Sequence, residues 1–263
     1  MSTIRFYKFH GTGNDFVILD NRDNSFDAGD SSFVKYLCHR RFGIGADGFM
    51  MLETSDSYAF FMRYFNSDGR ESTMCGNGGR CIVAFAEKLG IIRKDKLFEF
   101  EAIDGVHEAV WTEGEVSLKM VDVNGIQQMT DGYFLNTGSP HFVSFHNDID
   151  SLDVVRLGCD IRNSSLFGDG GTNVNFVKVI GDGLVNVRTY ERGVEDETWS
   201  CGTGCVASVL TDHYLNRKTE RYRVKVRGGD LKIRFDAVDV GVYKNIWLEG
   251  PAKFVYEGTI RKF

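Results

Sequence analysis

Long apolar runs are missing from this sequence. No stretch of about 18 uninterrupted apolar residues occurs, so no membrane-spanning helix and no membrane partner are expected. The opening Met1-Ser2-Thr3-Ile4-Arg5-Phe6 carries no hydrophobic signal core, and a cytoplasmic protein is expected. Excess positive charge is missing too. Lys and Arg total 31 against 37 Asp and Glu, a formal net charge of −6, which argues against a nucleic-acid partner. The six cysteines include no Cys-x-x-Cys pair, so the usual ligand spacing of a zinc site is absent and no metal is expected. Disulfides are not expected in a chain of this size without a secretion signal. Proline is scarce: Pro140 and Pro251 are the only two. Pro140 precedes an alternating segment, where it marks a strand edge or entry. There is no P-loop, no Gly-x-Ser-x-Gly elbow and no His-Glu-x-x-His, and no lysine is singled out for a Schiff base. No cofactor is expected.

What is present is a repeated turn. Met74-Cys75-Gly76-Asn77-Gly78-Gly79-Arg80-Cys81 and Ser200-Cys201-Gly202-Thr203-Gly204-Cys205 lie about half a chain apart. Each follows a β-like run and a polar loop, the runs being Phe60–Phe65 and Leu184–Tyr190. Each leads into apolar residues at helical spacing: Ile82, Val83, Phe85, Ala86 and Leu89, then Val206, Ala207, Val209, Leu210, Tyr214 and Leu215. In 263 residues with 42% hydrophobic content, this repetition predicts two domains. They are residues 1–121 with 255–263, and residues 122–254.

Strands dominate the remainder. Ile4 to His10 and Phe16 to Asp20 flank a glycine turn, and Ser31 to Arg41 has helical spacing with Ser31 or Ser32 as N-cap. Gly43-Ile44-Gly45-Ala46-Asp47-Gly48 is a literal Gly-x-Gly-x-x-Gly. It follows a basic helical stretch and precedes a strand, the reverse of a dinucleotide site, so that reading is rejected. Alternation marks strands around Phe98–Ala102, Val116–Met120, Tyr222–Val226 and Leu231–Phe235, and a lapse at Val121–Gly125 marks the crossing between halves. Asn173–Val179 follows a glycine-rich loop, Gly168–Thr172. The tail strand, Phe254–Gly258 after Pro251, is expected to return to the first domain. The class is α+β, each half a curved, mostly antiparallel, barrel-like sheet around one central helix.

A cysteine at a helix amino end meets unpaired N–H groups and the positive end of the helix dipole. Those favour thiolate and lower a thiol pKa from about 8.5 towards neutrality. Glycines let the backbone point N–H groups at a carboxylate. Two such units facing one substrate could take a proton from one side of a carbon and return it on the other. Cys75 and Cys201 are the candidates; Cys38, Cys81, Cys159 and Cys205 are expected to be inert core residues. A Cys–His acyl-transfer enzyme would need one nucleophile, and this chain offers two equivalent ones.

Together with His10-Gly11-Thr12-Gly13-Asn14-Asp15-Phe16, Phe65-Asn66-Ser67-Asp68-Gly69 and Tyr190-Glu191-Arg192-Gly193, the two turns resemble the diaminopimelate epimerase family, in its order along nearly the whole chain. The resemblance implies two pseudo-symmetric domains with the active site in the cleft between them. It implies a pyridoxal-independent exchange of LL- and meso-2,6-diaminopimelate in lysine and peptidoglycan precursor synthesis. Cys75 and Cys201 would be the acid–base pair. Gly76, Asn77, Gly202 and Thr203 would hold the carboxylate at the reacting centre, with Asn14 near that end. Asn66, Asn173 and Arg192 would grip the distal carboxylate and amine. Glu191 would meet an ammonium and, with His141, set thiol ionisation. The chain departs from the family in having Ser139-Pro140-His141 for a common Asn-Pro-His, and Gly48 where some members carry a side-chain amide. A small-molecule amino-acid substrate is the expected partner, with self-association as a homodimer. The rival readings are a proline or hydroxyproline racemase of the same fold, and a non-catalytic binding protein for an anionic metabolite.

Overall fold

Period-two alternation of apolar and polar side chains sets most of this backbone. In a computed structural model of the protein, which describes residues 3–261, four α-helices interrupt a mostly stranded chain. The chain opens with β1 (Thr3–Gly11), β2 (Asn14–Asp20), α1 (Ser31–Cys38), β3 (Gly48–Glu53), β4 (Phe61–Asn66), β5 (Glu71–Ser72) and α2 (Gly76–Lys88). It continues through β6 (Leu97–Ala102), β7 (Gly105–Thr112), β8 (Glu115–Lys119), β9 (Val123–Asn124), β10 (Gln127–Met129), β11 (Gly132–Asn136) and β12 (Pro140–Phe145). Then come α3 (Val154–Arg162), β13 (Asn173–Gly181), β14 (Leu184–Glu191), β15 (Asp196–Thr198) and α4 (Gly202–Asn216). Four strands finish it: β16 (Arg221–Val226), β17 (Gly229–Asp239), β18 (Val242–Pro251) and β19 (Lys253–Arg261).

The chain forms two units. The first runs to Leu118 and resumes at Gly250; the second is Lys119–Glu249. In the first, the strands pair in the order β19-β1-β2-β3-β4-β6-β7-β8. Only β2–β3 and β4–β6 are parallel, and parallel neighbours need a crossover. Helices α1 and α2 supply the two crossovers. The second unit pairs β10-β11-β12-β13-β14-β16-β17-β18, with β12–β13 and β14–β16 parallel and α3 and α4 as crossovers. The order of parallel and antiparallel neighbours is the same in both units. The fold is a duplicated α+β architecture.

Helix α2 is buried on every side from Gly76 to Ala86, and the central part of α4 is buried likewise. A helix buried all round has strands about it rather than on one side. Phe85 of α2 packs its ring 4.7 Å from Tyr7 and 5.9 Å from Phe9 of β1. Arg217 closes α4 in the left-handed region at φ 48°, its N–H donating to the His213 carbonyl.

Several details differ from the sequence expectations. The N-cap of α1 is Asp30, whose carboxylate accepts from Phe33 N, rather than Ser31 or Ser32. The helix ends at Cys38 because His39 is extended, so Arg40 and Arg41 lie outside it. Helix α3 was not anticipated, since its apolar positions are too few to stand out beside the strand pattern. Cys159 lies on α3 and is only half-buried, packed at the margin of the core rather than inside it. Strand β18 runs up to Pro251, and the tail strand β19 begins two residues later at Lys253, so Pro251 ends one strand as well as preceding another.

Candidate active site

Both Cys-Gly-x-Gly turns place their first cysteine as a helix N-cap. Cys75 caps α2 and Cys201 caps α4, each with extended backbone and no side-chain capping bond. The turn needs small residues for space as well as conformation: a Cβ on Gly204 would lie 2.3 Å from the Asn175 amide oxygen.

In the first unit, Asn14, Cys75 and Asn77 come together. Asn77 Nδ2 donates to Asn14 Oδ1 at 3.1 Å, and the same oxygen lies 3.9 Å from Cys75 Sγ. Asn14 Nδ2 donates to Asp47 Oδ2 at 2.8 Å, and Arg40 bridges Asp47 and Asp15 at 2.6 and 2.7 Å. Arg80, fully buried one turn into α2, donates to Asn77 Oδ1 at 2.9 Å, Thr12 Oγ1 at 3.2 Å and the Gly76 carbonyl at 3.2 Å. Gly76 opens the helix at its first position. Asn66 is exposed at the end of β4, opposite Gly48 in register. A Cβ at Gly48 would lie 2.6 Å from the Tyr64 ring, so Tyr64 fills the space a side chain at 48 would need.

In the second unit, Ser139, His141, Asn173, Cys201 and Thr203 share one hydrogen-bonded cluster. His141 Nε2 is 2.9 Å from both Ser139 Oγ and Thr203 Oγ1, and Thr203 Oγ1 is 3.5 Å from Cys201 Sγ. Asn173 Nδ2 donates to the Pro140 carbonyl at 2.9 Å and to Ser139 Oγ at 3.3 Å, while its Oδ1 accepts from Arg192 N at 3.0 Å. Arg192 Nη1 donates to the Gly170 carbonyl at 3.2 Å, tying it to the glycine-rich loop. Glu191 Oε2 accepts from Thr198 Oγ1 at 2.9 Å across the β14–β15 hairpin. Gly202 opens α4.

The electrostatics correct one expectation. Burial pushes the Cys201 thiol well above its ordinary pKa, and the Glu191 carboxylate pushes the same way. The Thr203 hydroxyl and the Gly204 N–H pull down without prevailing. Desolvation therefore outweighs these two hydrogen bonds here. His141 is fully buried; burial and then the nearby Arg192 charge lower its pKa to about 3. The ring is neutral at pH 7.

Sequence reasoning passed over Arg80, Tyr64 and Asn175. Only Asn175 had a signal: it lies two residues from Asn173 and so faces the same side of β13.

A family model described as diaminopimelate epimerase matches residues 6–124 and 133–255. The chain belongs to the diaminopimelate epimerase family. A protein of Flavobacterium psychrophilum named diaminopimelate epimerase is 46% identical over 259 residues, covering 98% of this chain and all of its own. One from Chlorobaculum tepidum with the same name is 44% identical, covering 95% and 98%. Diaminopimelate epimerases are isomerases, so the chain joins a family of enzymes. Among solved structures, a Bacillus anthracis phenazine biosynthesis protein of the PhzF family superposes with a TM-score of 0.79 at 13% identity, covering 100% of both chains. A hydroxyproline epimerase from Agrobacterium vitis gives 0.65 at 14%, covering 98% and 92%. At such identities these two bear on fold alone. Among the described residues, no helix is long and apolar enough to cross a membrane.

Proposed function

We propose that this chain interconverts LL- and meso-2,6-diaminopimelate by a two-base proton transfer at one α-carbon, without a cofactor. One cysteine, as thiolate, takes the α-proton while the other, as thiol, delivers a proton to the opposite face; the reverse direction exchanges the roles. The observation that carries this reading is the repeated N-cap cysteine, Cys75 on α2 and Cys201 on α4, in a chain of this family. Helix-end N–H groups at Gly76, Asn77, Gly202 and Thr203 would hold the α-carboxylate and stabilise the charge that develops on proton removal. Asn14 would line the reacting end. Asn66, Asn173 and Arg192 would hold the distal amino-acid group, Glu191 would meet an ammonium, and Glu191 with His141 would tune the thiols. The reading includes a cytoplasmic enzyme of lysine biosynthesis acting as a homodimer.

The test is incubation with LL-diaminopimelate in heavy water, following deuterium at the α-carbon by NMR with proline as control. Exchange with diaminopimelate alone is expected. Cys75→Ala and Cys201→Ala should each lower epimerisation by about a thousandfold or more. Full activity in either variant would refute the two-base scheme.

A further inference from the structure

We propose that Asn175 is a positioning residue: it fixes the tautomer of His141 and, through that ring, turns the Thr203 hydroxyl hydrogen onto the Cys201 sulfur. The inference rests on Cys201 being one of the two acid–base thiols.

Asn175 is fully buried, and its partners settle how its amide is turned. Nδ2 donates to the Phe142 carbonyl at 3.0 Å, a group that only accepts. Oδ1 accepts from the Thr189 hydroxyl at 3.0 Å. The same Nδ2 stands 3.1 Å from His141 Nδ1, so that nitrogen accepts. A neutral imidazole that accepts at Nδ1 carries its proton on Nε2. Neither Thr203 nor Ser139, each 2.9 Å from Nε2, can then donate to it. Ser139 Oγ already accepts from Asn173 Nδ2, which leaves its own hydrogen for Thr203 Oγ1, 3.4 Å away. Thr203 Oγ1 thus receives hydrogens from the His141 side and has one of its own to give, with Cys201 Sγ at 3.5 Å. Donation runs from Asn175 to His141 to Thr203 and ends on sulfur.

The direction matters because a donor to sulfur favours thiolate. Cys201 needs such help: it is almost completely buried, and the Glu191 carboxylate facing it also opposes ionisation. Besides Thr203, the Gly204 N–H is the other group that favours the anion. Burial, and after it the nearby Arg192 charge, keeps the His141 ring neutral, so the ring orients a hydrogen without carrying a charge. Gly204 completes the device, because any larger residue would collide with the Asn175 amide.

The test uses the intact protein and two readings that need no turnover. In 15N NMR, His141 should be the neutral Nε2–H tautomer between about pH 5 and 9. Protonation at Nδ1, or an imidazolium at pH 7, would overturn the proposal. In Asn175→Asp the new carboxylate accepts from Nδ1, so the ring should switch to Nδ1–H, Nε2 should capture the Thr203 hydrogen, and Cys201 should lose its donor. The midpoint pH for iodoacetamide alkylation of Cys201, read from its peptide by mass spectrometry, should rise by about one unit, or about tenfold slower labelling below it. A folded Asn175→Asp protein with unchanged tautomer and midpoint would overturn the proposal. Should that variant not fold, Thr203→Val exchanges the hydroxyl for a methyl of similar size and should raise the Cys201 midpoint in the same way; an unchanged midpoint refutes the relay. Because neither reading uses diaminopimelate, failure of the epimerase assignment and failure of this relay are told apart.

Discussion

Lys8 is buried on β1 with its ammonium 2.6 Å from Asp15 and hydrogen-bonded to the Gly45 carbonyl. Burial alone would raise the Asp15 pKa; the bonds from Arg40 and Lys8 overcome it and hold the carboxyl well below the usual range. A depressed folded-state pKa contributes stability that is complete above the unfolded carboxylate value of about 3.9 and is lost as pH falls below it. Lys8→Met should therefore cost about 3 kcal/mol at neutral pH, since it leaves Asp15 mostly buried with the exposed Arg40 as its remaining cation beside the Asp47 N–H. The deficit should shrink towards pH 3, as the unfolded chain and the variant's Asp15 take up protons while the wild-type native carboxylate stays ionised. Urea midpoints at the two pH values check it, and an equal deficit at both would contradict the electrostatic account. Residue-scale features of this kind were the least legible in the sequence. Cys75 and Cys201 stood out because glycines frame them. Lys8, Arg80 and Asn175 sit in ordinary strand or helix patterns, and only long-range contacts such as Arg80 with Thr12 give them meaning. Thr12 itself is a β-branched residue at φ 48°, held there by that buried guanidinium.

Among the elements, the two central helices were legible because a glycine turn and a long apolar segment announce each. Helices α1 and α3 occupy matching places in the two units, yet only α1 was foreseen. Spacing of Phe33, Val34 and Leu37 betrays α1, whereas α3 buries little beyond Val154 and Gly158. Gly158 is the reason α3 lies close to β14: a Cβ there would stand 2.3 Å from Tyr190 Cβ. On helix propensity alone, Gly158→Ala would stabilise by about 1 kcal/mol. The collision predicts the opposite sign, a loss of about 1–3 kcal/mol as α3 is pushed outward. Equilibrium unfolding in urea decides between them, and a gain in stability would refute the close-packing account.

At the scale of the whole molecule, the duplication was legible in outline from the repeated turns. The pairing order was not, because parallel neighbours such as β4 and β6 are brought together by a crossover that local alternation does not encode. The first unit is discontinuous in sequence: β19 pairs with β1 from Thr3↔Arg261 to His10↔Lys253. The second unit is one uninterrupted stretch. A fragment of residues 119–249 should accordingly unfold cooperatively by itself. A fragment ending at residue 118 leaves β1 without its outer neighbour and should self-associate through that edge. Light scattering of the two fragments checks this, and a monodisperse 1–118 fragment would count against it.

That discontinuity also sets a schedule for biosynthesis. The ribosome makes β1 near the start and its partner β19 almost a full chain later, after every element of the second unit has emerged. At about 5–20 residues per second, a nascent β1 is exposed for on the order of tens of seconds, a window in which a chaperone or a neighbouring polypeptide can reach it before its own strand arrives.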